Sequence, residues 1–394
     1  MINILYLHVG AELYGADVIL LELVKNLDKT KYKPYVVLPC DGPLAVKMRE
    51  NGIDVSIINY PILRRQYFNL KGIFQYMREF RSSIKKLEKF CKEKNINLIH
   101  SNTVAVLEGA SLWKKLKIKH IWHVHEMLDK PKIIYKALGK IMSKRCDKVL
   151  VVSNAVKNHW EKTGYFKDEI FEVIHNGIDL NKFNPNNDIN YLKKEFKIKD
   201  NEKVVGFIGR INAIKGQEVF FKAMEEVMRN TYNVKALIVG DAFEGQEWRV
   251  KDLKEKINNS EFKDRFIYSS FRTDNANIHC LLDVFVLSSI SYDSFPTVVL
   301  EAMASKNPVV SFKSGGVTEM ITHGKTGYFA EFGDKDDLAN YIYKLVTNDD
   351  LRKNMGEAAY KVVTDNFTSQ IFKERIHDFY YKLMSRSEKS ESSR

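Results

Sequence analysis

Short apolar runs recur along this chain of 394 residues, and each of them ends near a Gly, Ser, Asn or His. Runs rich in Val, Ile and Leu are typical of buried parallel strands. Most runs are separated by an amphipathic stretch long enough for a crossover helix, for example 17–28 and 216–229. The repeat predicts an α/β fold with doubly wound, Rossmann-like sheets. The runs are NILYLHV, KPYVVLP, DVSIINY, INLIHSN, HIWHVH, DKVLVVS, KVVGFIG, VKALIVG, DRFIYSS, DVFVLSS and NPVVSF.

The alternation pauses at residues 175–190, where HNGIDLNKFNPNNDIN is rich in Asn and Asp, as a linker is. Because strands precede and follow this pause, we expect two similar domains, residues 1–183 and 184–366. Ligands of such sheets bind beyond the carboxyl ends of the strands, so we expect the two domains to face each other across a cleft. We also expect a C-terminal helix over 367–384 that packs back on the first domain, and a disordered tail over 385–394.

Charge and cysteine content limit the classes of partner and location. Lys and Arg outnumber Asp and Glu by 62 to 50, and this net charge of +12 favours nucleotides, phospholipid surfaces or nucleic acid. The four Cys fit no zinc or C-x-x-C spacing, which indicates reduced thiols in a cytosolic protein. The N-terminal MINILYLHVG lacks the features of a signal peptide. No apolar run approaches the roughly 18–20 residues of a membrane span.

Two acids, Asp293 and Glu301, stand eight positions apart in DSFPTVVLEAMASKNPVVSFKSGG, directly after the run DVFVLSS. We therefore expect residues 288–296 to form the loop at the carboxyl end of a strand. We expect Thr297 to cap the following helix, with Glu301 near its positive N-terminus. Backbone amides at such an end can bind phosphate or sugar oxygens. The spacing alone leaves two interpretations equally open: the acids complement the helix dipole, or they line a binding site.

Three more segments carry polar side chains beside predicted strands. Arg210 and Lys215 lie in one such loop and suit a diphosphate, although a solvated basic loop also explains them. The segment HVGAELYGAD, which contains Gly15, joins a strand to a helix but is not the G-x-G-x-x-G of nicotinamide enzymes. In HIWHVHEM, His123 and His125 lie on one face of a predicted strand. A metal site would need a further ligand, which the segment does not offer, so hydrogen-bonded core histidines are the simpler interpretation.

Together these segments resemble the signature of the retaining glycosyltransferases of family 4, which have the GT-B fold. The family pattern E-G-F-P-x-x-x-x-E-A-M-A-x-G-x-P-V-V is followed by G-G-x-x-E. Asp293 stands in place of the first Glu, and Ser294 and Asn307 stand in place of Gly. The positions that match this pattern are Phe295, Pro296, Glu301, Ala302, Met303, Ala304, Pro308, Val309, Val310, Gly315, Gly316 and Glu319.

Further matches cover nearly the whole chain in the order of the family, and the last two named here are the weaker ones. GFIGRINAIKG resembles the family's G-R-L-x-x-x-K-G, and Gly15-Ala16-Asp17 resembles its G-G-x-E loop. His125-Glu126 resembles a strand that ends in H-D or H-E. RCDKVLVVSNAV and VIHNGIDLNKF resemble the family's A-D-x-I-I-x-V-S strand and its linker.

The resemblance implies a role for each of these residues. Arg210 and Lys215 would neutralise the leaving nucleoside diphosphate, and Glu301 would hold the ribose hydroxyls. Asp293 would face the transferred sugar, and His125 would contact it near the reacting carbon, with His123 as the alternative. The catalytic set implied by the resemblance is His125, Asp293, Arg210 and Lys215. The donor site it implies comprises Gly15, Arg210, Lys215, Asp293, Ser294, Phe295, Pro296, Thr297, Val298 and Glu301.

The same resemblance implies that residues 1–183 bind the acceptor and 184–366 a sugar nucleotide, a UDP-sugar before GDP-mannose, without a metal or cofactor. The acceptor would be a glycan or lipid-linked hydroxyl in surface polysaccharide or glycolipid biosynthesis. Two alternatives remain: a sugar-nucleotide epimerase of the same fold, or a non-catalytic sugar-nucleotide-binding protein. A nucleic-acid partner is disfavoured because the sequence contains no known binding module.

Residues 64–94 contain ten Lys or Arg and only three acids, with aromatic residues interleaved. This segment is either a solvated basic helix whose aromatics pack on the first sheet, or a surface that binds anionic lipid at the inner face of the cell membrane. Some glycosyltransferases of another fold bind manganese through a D-x-D motif. Asp334-Lys-Asp336 matches that pattern. Here we expect it to cap a helix.

Overall fold

The computed structural model describes residues 1–128 and 130–391, with side chains described at all of these except 168 and 386–391. The chain divides into two compact units. The first comprises Met1–Asn176 and the chain from Gln370 onward, and the second comprises Gly177–Ser369. The division after Asn176 falls inside the predicted linker and seven residues before the predicted boundary at 183.

The first unit contains a parallel sheet of seven strands in the order β3-β2-β1-β4-β5-β6-β7. The order reverses between β1 and β4, and this switch point is where ligands of such sheets bind. The strands are β1 Ile2–Leu7, β2 Tyr32–Leu38, β3 Asp54–Ile57, β4 Leu98–Ser101, β5 Lys119–Val124, β6 Lys148–Val151 and β7 Phe171–Val173. The helices are α1 Gly15–Lys25, α2 Pro43–Glu50, α3 Leu70–Glu93, α4 Glu108–Leu116, α5 Lys132–Lys144 and α6 Asn154–Glu161.

The second unit contains a parallel sheet of six strands in the order β10-β9-β8-β11-β12-β13, so its switch point lies between β8 and β11. The strands are β8 Lys203–Ile208, β9 Val234–Val239, β10 Phe266–Ser269, β11 Val284–Leu287, β12 Val309–Phe312 and β13 Gly327–Ala330. The helices are α7 Asn190–Glu195, α8 Gln217–Arg229, α9 Trp248–Asn259, α10 Asn275–Leu281, α11 Thr297–Ala304, α12 Lys335–Val346 and α13 Asp349–Asn366.

Both sheets confirm the predicted class of two Rossmann-like α/β domains. Each of the eleven apolar runs forms a strand, and the two named crossover stretches form α1 and α8. The sequence analysis missed β7 and β13, which lie at one edge of each sheet. Neither edge strand is a run of Val, Ile and Leu, since β7 is FEV and β13 is GYFA, so they lack the signal that marks the central strands.

The last helix, α14 (Ser369–Glu391), belongs to the first unit although it follows the second one in the chain. The hydroxyl of Tyr380 lies 3.0 Å from that of Tyr6 on β1 and 2.7 Å from Nδ1 of His100 on β4. The helix starts two residues after the predicted 367 and continues past the predicted 384. Residues 392–394 of the predicted disordered tail lie outside the described residues. The α14 residues in the core of the first unit are Phe372, Ile376, Phe379, Tyr380 and Leu383.

The membrane and cysteine predictions can be compared with the same structure. Within residues 1–128 and 130–391, no helix combines the length and apolarity that crossing a bilayer requires. The four cysteine thiols are free, so none of them forms a disulfide.

A carboxyl group is buried in the first unit at the start of α4. Glu108 is fully buried, and its Oε1 accepts a hydrogen bond of 3.1 Å from Ser83 on α3. Its Oε2 has no hydrogen-bond partner among the described residues. Burial raises the pKa of Glu108 from 4.5 to about 8, because the charged form loses its hydration. The carboxyl is therefore largely protonated at neutral pH.

We expect Glu108→Gln to change how stability depends on pH. Since the pKa of Glu108 is higher in the folded state, the wild type loses stability as pH rises from 4.5 to about 8. Gln cannot ionise, so the variant should gain roughly 1–3 kcal/mol relative to the wild type between pH 5 and pH 8. Urea unfolding across this range measures the difference, and Glu255→Gln at an exposed position is the control. Equal pH slopes in wild type and variant would contradict the assignment.

Candidate active site

The cationic and acidic residues predicted for the donor site lie around the switch point of the second sheet. Arg210 and Lys215 lie in the loop between β8 and α8, and Asp293 lies in the loop between β11 and α11. Strands β8 and β11 are neighbours and run parallel, so both loops leave the same edge of the sheet. The fold therefore brings residues that are about 80 positions apart in sequence to one place.

A close backbone contact joins these two loops. Gly216 has φ +73°, and a Cβ on it would lie 1.8 Å from the carbonyl oxygen of Ser288. The amide of Ile290 donates to the carbonyl of Ile214 over 2.9 Å. Within the first loop, the side chain of Asn212 accepts hydrogen bonds of 3.0 Å from the amides of Ile214 and Lys215. Glycine at 216 thus lets the basic loop lie directly on the loop that carries Asp293.

Lys215 and Asp293 form an ion pair at this contact. The Nζ of Lys215 lies 2.5 Å from Oδ1 of Asp293, and both side chains are largely buried, with 27% and 17% exposed. The other oxygen, Oδ2 of Asp293, is buried and has no hydrogen-bond partner among the described residues. A carboxylate oxygen accepts hydrogen bonds, so Oδ2 is suited to a hydroxyl group.

The Gly-Gly pair after β12 supports the same acidic loop. A Cβ on Gly315 would lie 2.2 Å from the carbonyl oxygen of Asp293, and a Cβ on Gly316 would lie 1.9 Å from that of Ser294. The amide of Gly316 donates to the carbonyl of Asp293 over 2.8 Å. The two glycines therefore pack directly against the backbone of residues 293–294, and a side chain at either glycine would displace that backbone.

Helix α11 presents Glu301 one position further from its N-terminus than the sequence analysis expected. The helix begins at Thr297 with Pro296 as its N-cap, so the prediction of Thr297 as N-cap was wrong by one residue. Pro has no amide hydrogen, and its fixed φ suits the start of a helix. No acid lies in the first turn of the helix. The interpretation that Glu301 complements the helix dipole therefore loses its support.

The carboxylate of Glu301 faces a buried histidine instead. Its Oε2 lies 3.2 Å from Nε2 of His279, which is fully buried on α10. The approach does not have the geometry of a hydrogen bond, so the two groups are in close contact without one. The side chain of Glu301 is 19% exposed. Its carboxylate can therefore accept hydrogen bonds from a bound ligand.

Residues 295–298 span the start of α11. Phe295 is buried and packs edge-on against Phe367, with ring centroids 5.7 Å apart. Thr297 and Val298 are the first two helical residues, so their amides belong to the group that has no acceptor within the helix. This end of α11 thus presents backbone donors beside Asp293.

Aromatic side chains lie beside the cationic loop. The guanidinium of Arg210 lies 3.5 Å from the ring centroid of Phe243, which follows β9 and is 43% exposed. The SSFRTD segment at 269–274 begins with the last residue of β10. Its Arg272 is held by Asp274 and by Glu195. Of this segment, Phe271 exposes a large apolar side chain, at 56%.

A chain of buried polar groups occupies the switch point of the first unit. The Nε2 of His8, just after β1, lies 2.6 Å from Oδ1 of Asp17 on α1. The side-chain amide of Asn102, just after β4, lies 3.1 Å from Nδ1 of His8. The Oδ1 of the same Asn102 lies 3.1 Å from Nε2 of His125, just after β5. The sequence analysis found His125 but not His8 or Asn102, although each of these two lies within the last two residues of a predicted strand.

Burial separates the two histidines that were candidates for the sugar contact. His123 is fully buried, and its Nδ1 lies 3.2 Å from Nε2 of His100. His125 is half-buried, and its backbone amide donates to Oε2 of Glu126 over 3.1 Å. Burial lowers the pKa of His125 to about 3, so its ring is neutral at physiological pH. These contacts favour His125 over His123 as the residue that can meet a ligand.

Gly15 is the first residue of α1, and a Cβ on it would meet nothing within 4 Å. Asp17 two residues later closes the preceding turn, because its Oδ2 accepts a hydrogen bond of 2.8 Å from the amide of Tyr14. The loop before α1 is therefore held by Asp17, while the space beside Gly15 is open.

The D-x-D motif has a structural role. The side chain of Asp334 accepts hydrogen bonds from the amides of Asp336 and Asp337 and so caps α12. Within residues 1–128 and 130–391, no group of three or more His, Cys, Asp or Glu is placed to hold a metal ion.

Family models match both halves of the chain. Residues 14–182 match Glycosyltransferase Family 4, and residues 188–362 match Glycosyl transferases group 1. The chain belongs to the family 4 glycosyltransferases. The resemblance seen in the Glu301 and Arg210 segments is thereby confirmed.

Among curated relatives of this glycosyltransferase, the N-acetyl-alpha-D-glucosaminyl L-malate synthase of Bacillus anthracis is 24% identical over 379 residues, 94% of each chain. The capsular polysaccharide biosynthesis glycosyltransferase CapM of Staphylococcus aureus is 26% identical over 257 residues, 61% of this chain and 63% of its own.

Solved structures show the same fold. Anabaena Alr3699/HepE in complex with UDP has a TM-score of 0.85 at 23% identity, covering 97% of this chain and all 100% of its own. Sucrose-phosphate synthase from Thermosynechococcus elongatus has a TM-score of 0.79 at 17% identity, covering 98% and 100%. Similarity at these identities shows the fold, which is GT-B.

We expect Gly316→Ala to destabilise the second unit. The new Cβ would lie 1.9 Å from the carbonyl oxygen of Ser294, so the loop that carries Asp293 must move. Overpacking of this kind costs about 1–3 kcal/mol. Urea unfolding measures the loss, with Gly10→Ala as the matched control because its Cβ would meet nothing within 4 Å. Equal losses in the two variants would show that the close approach at Gly316 does not matter.

Proposed function

We propose that this glycosyltransferase moves a sugar from a nucleotide-diphosphate donor to an acceptor hydroxyl and retains the anomeric configuration. The observation that carries the proposal is the convergence of Arg210, Lys215, Asp293 and Glu301 at the switch point of the second sheet. A diphosphate needs cations, and a sugar and a ribose need acceptors for their hydroxyls. This one edge provides both.

Each residue has a distinct role in the proposal. Arg210 and Lys215 stabilise the charge that develops on the leaving diphosphate, an electrostatic contribution. Glu301 accepts hydrogen bonds from the ribose hydroxyls, and Asp293 from the transferred sugar. The donor also contacts Ser294 and Pro296 and the amides of Phe295, Thr297 and Val298.

A UDP-sugar is the proposed donor, with GDP-mannose next. The similar HepE was solved with UDP and with UDP-glucose. We propose Phe271 as the side chain that stacks on the base, because Arg272 beside it is already paired with two acids.

On the first unit, we propose that Gly15 lies beside the diphosphate and that His125 contacts the sugar. No side chain is assigned as a covalent nucleophile; an oxygen of the leaving phosphate takes the proton of the acceptor hydroxyl. The proposed reaction therefore needs no metal or cofactor.

We expect Lys215→Ala and Glu301→Ala each to lower the turnover of UDP-glucose on the order of 10²-fold or more, because each removes a charged contact to the donor. Release of UDP from the donor, with water as the acceptor, measures turnover without knowledge of the natural acceptor. Lys251→Ala and Glu255→Ala remove the same groups at exposed positions and should leave turnover unchanged. An assay in EDTA tests the metal-independent mechanism.

The outcomes separate the alternatives. Near wild-type turnover in either site variant would contradict its assignment. If UDP raises the melting temperature but no donor is consumed, the protein is a sugar-nucleotide-binding protein without transferase activity. A changed configuration in the sugar nucleotide that is recovered would instead indicate an epimerase.

We further propose that the acceptor is lipid-linked and that α3 lies on an anionic membrane surface. One face of α3 is buried, including Tyr76, Leu87 and Phe90. Another face exposes an apolar row at helical spacing, with Leu70 at 88% and Phe74 at 74%. The groove along this row is about 650 Å³ and is lined by Leu70, Ile73, Phe74, Met77, Arg78, Arg81, Ser82 and Lys85.

Positive charge surrounds the exposed row. Near the end of α3, Lys89, Lys92 and Lys94 are paired with acids. Seven further Lys and Arg residues lie closer to the apolar row, and none of them forms an ion pair with a described residue. Basic residues flanking an exposed apolar helix face match the surface of an anionic bilayer. The seven cations are Arg64, Arg65, Lys71, Arg78, Arg81, Lys85 and Lys86.

We expect the protein to sediment with vesicles of phosphatidylglycerol and phosphatidylcholine, and much less with phosphatidylcholine alone. Replacing Arg78, Arg81 and Lys85 by Gln should weaken partitioning roughly 100-fold, because each cation near the surface contributes about 1 kcal/mol. The matched control replaces three exposed lysines of the second unit. These are Lys222, Lys251 and Lys353.

The apolar row is tested in the same assay. Phe74→Asp should reduce binding, whereas Tyr232→Asp, at a position 97% exposed in the second unit, should not. Equally weak sedimentation with both kinds of vesicle would overturn the membrane proposal. A dimer in light scattering that Phe74→Asp abolishes would assign the row to a second copy of the chain instead.

A further inference from the structure

We propose that Asp17 fixes the tautomer of His125 through His8 and Asn102, so that Nδ1 of His125 is its hydrogen-bond acceptor. The chain of contacts is continuous, at 2.6 Å from Asp17 to His8 and 3.1 Å at each later step. Asp17, His8 and Asn102 are all buried, so water does not compete for these hydrogen bonds.

Hydrogen-bond chemistry sets the direction of the chain. An ionised carboxylate only accepts, so Nε2 of His8 must carry the proton that it donates to Asp17. A neutral imidazole has one donor and one acceptor nitrogen, which leaves Nδ1 of His8 as an acceptor. Only the amide nitrogen of Asn102 can donate to it, and the structure places that nitrogen there.

The hydrogen bond between Asn102 and His125 determines which nitrogen of His125 carries the proton. With its nitrogen on His8, Asn102 turns its oxygen toward Nε2 of His125, and that oxygen only accepts. Nε2 of His125 must therefore carry its proton. The low pKa of His125 agrees with a single proton on the ring. Nδ1 of His125 then holds a lone pair.

The consequence for recognition deepens the proposed function and rests on it. A His125 with a lone pair on Nδ1 accepts a hydrogen bond, so it selects a ligand group that donates, such as a sugar hydroxyl. It does not offer Nδ1 as a donor to an anionic or carbonyl oxygen. Asp17, His8 and Asn102 act through His125 and are positioning residues.

The proposal can be tested by replacing one carboxylate oxygen of Asp17 with an NH₂ group. Its Oδ2 accepts from the amide of Tyr14, and its Oδ1 accepts from His8. In Asp17→Asn, the oxygen must stay on the Tyr14 amide, which can only donate. The new NH₂ group then donates to His8, and every later hydrogen bond must reverse. His125 should change from the Nε2-protonated to the Nδ1-protonated tautomer.

Long-range ¹H–¹⁵N NMR of the histidine side chains distinguishes the two tautomers and the doubly protonated ring. His125→Gln identifies the signals of His125 by their loss. We expect the Nε2-protonated pattern in the wild type at neutral pH and the Nδ1-protonated pattern in Asp17→Asn. Asp28→Asn, which alters a carboxylate of the first unit outside this chain, should leave the wild-type pattern in place.

Several results would overturn the proposal. These are an Nδ1-protonated or doubly protonated His125 in the wild type, a doubly protonated His8, or a folded Asp17→Asn that keeps the wild-type tautomer. If Asp17→Asn does not fold, the wild-type spectrum still decides the first two. The measurement uses no sugar nucleotide, so its outcome is independent of whether the proposed glycosyl transfer is correct.

Discussion

The contact between Lys215 and Asp293 depends on backbone packing that only glycine allows. Gly216 lets the basic loop approach Ser288 without a Cβ between them, and Gly316 lets the loop after β12 approach Ser294. The Nζ of Lys215 then lies 2.5 Å from Oδ1 of Asp293. The rest of the site follows from this packing, because the start of α11 and its Glu301 continue directly from the loop so fixed. Preorganised charge of this kind needs little rearrangement when a ligand charge must be stabilised.

Each unit places polar side chains at the switch point of its sheet, but the chemical groups differ between the two units. In each parallel sheet the strand order reverses once, and the loops on either side of that point diverge to leave room for polar side chains. The second unit places a largely buried ion pair and the backbone amides at the start of α11 there. The first unit places there a chain of hydrogen-bonded polar groups from Asp17 to His125, of which Asp17, His8 and Asn102 are buried. One position is suited to a charged ligand, and the other to a directional hydrogen bond.

Much of this could be predicted from the sequence, and the limits have physical causes. The central strands were evident because they are buried on both faces and read as continuous apolar runs. Edge strands β7 and β13, with the sequences FEV and GYFA, lack the run of Val, Ile and Leu that gives that signal. The Glu301 and Arg210 segments were recognised because their chemistry is local in sequence. His8, Asn102 and His279 act through partners that only the fold brings near, so no spacing rule pointed to them. The start of α11 was misplaced by one residue because both Pro296 and Thr297 are suited to a helix N-terminus.

The position of α14 has a consequence for how the protein is made. Tyr380 and its apolar neighbours complete the core that β1 and β4 begin, yet they leave the ribosome after the whole second unit. The second unit is continuous in sequence and can fold as soon as Ser369 has emerged. The first unit must wait, with the side chains of Tyr6 and His100 lacking their hydroxyl partner until synthesis is nearly finished. The N-terminal half is therefore the last to complete its fold during translation.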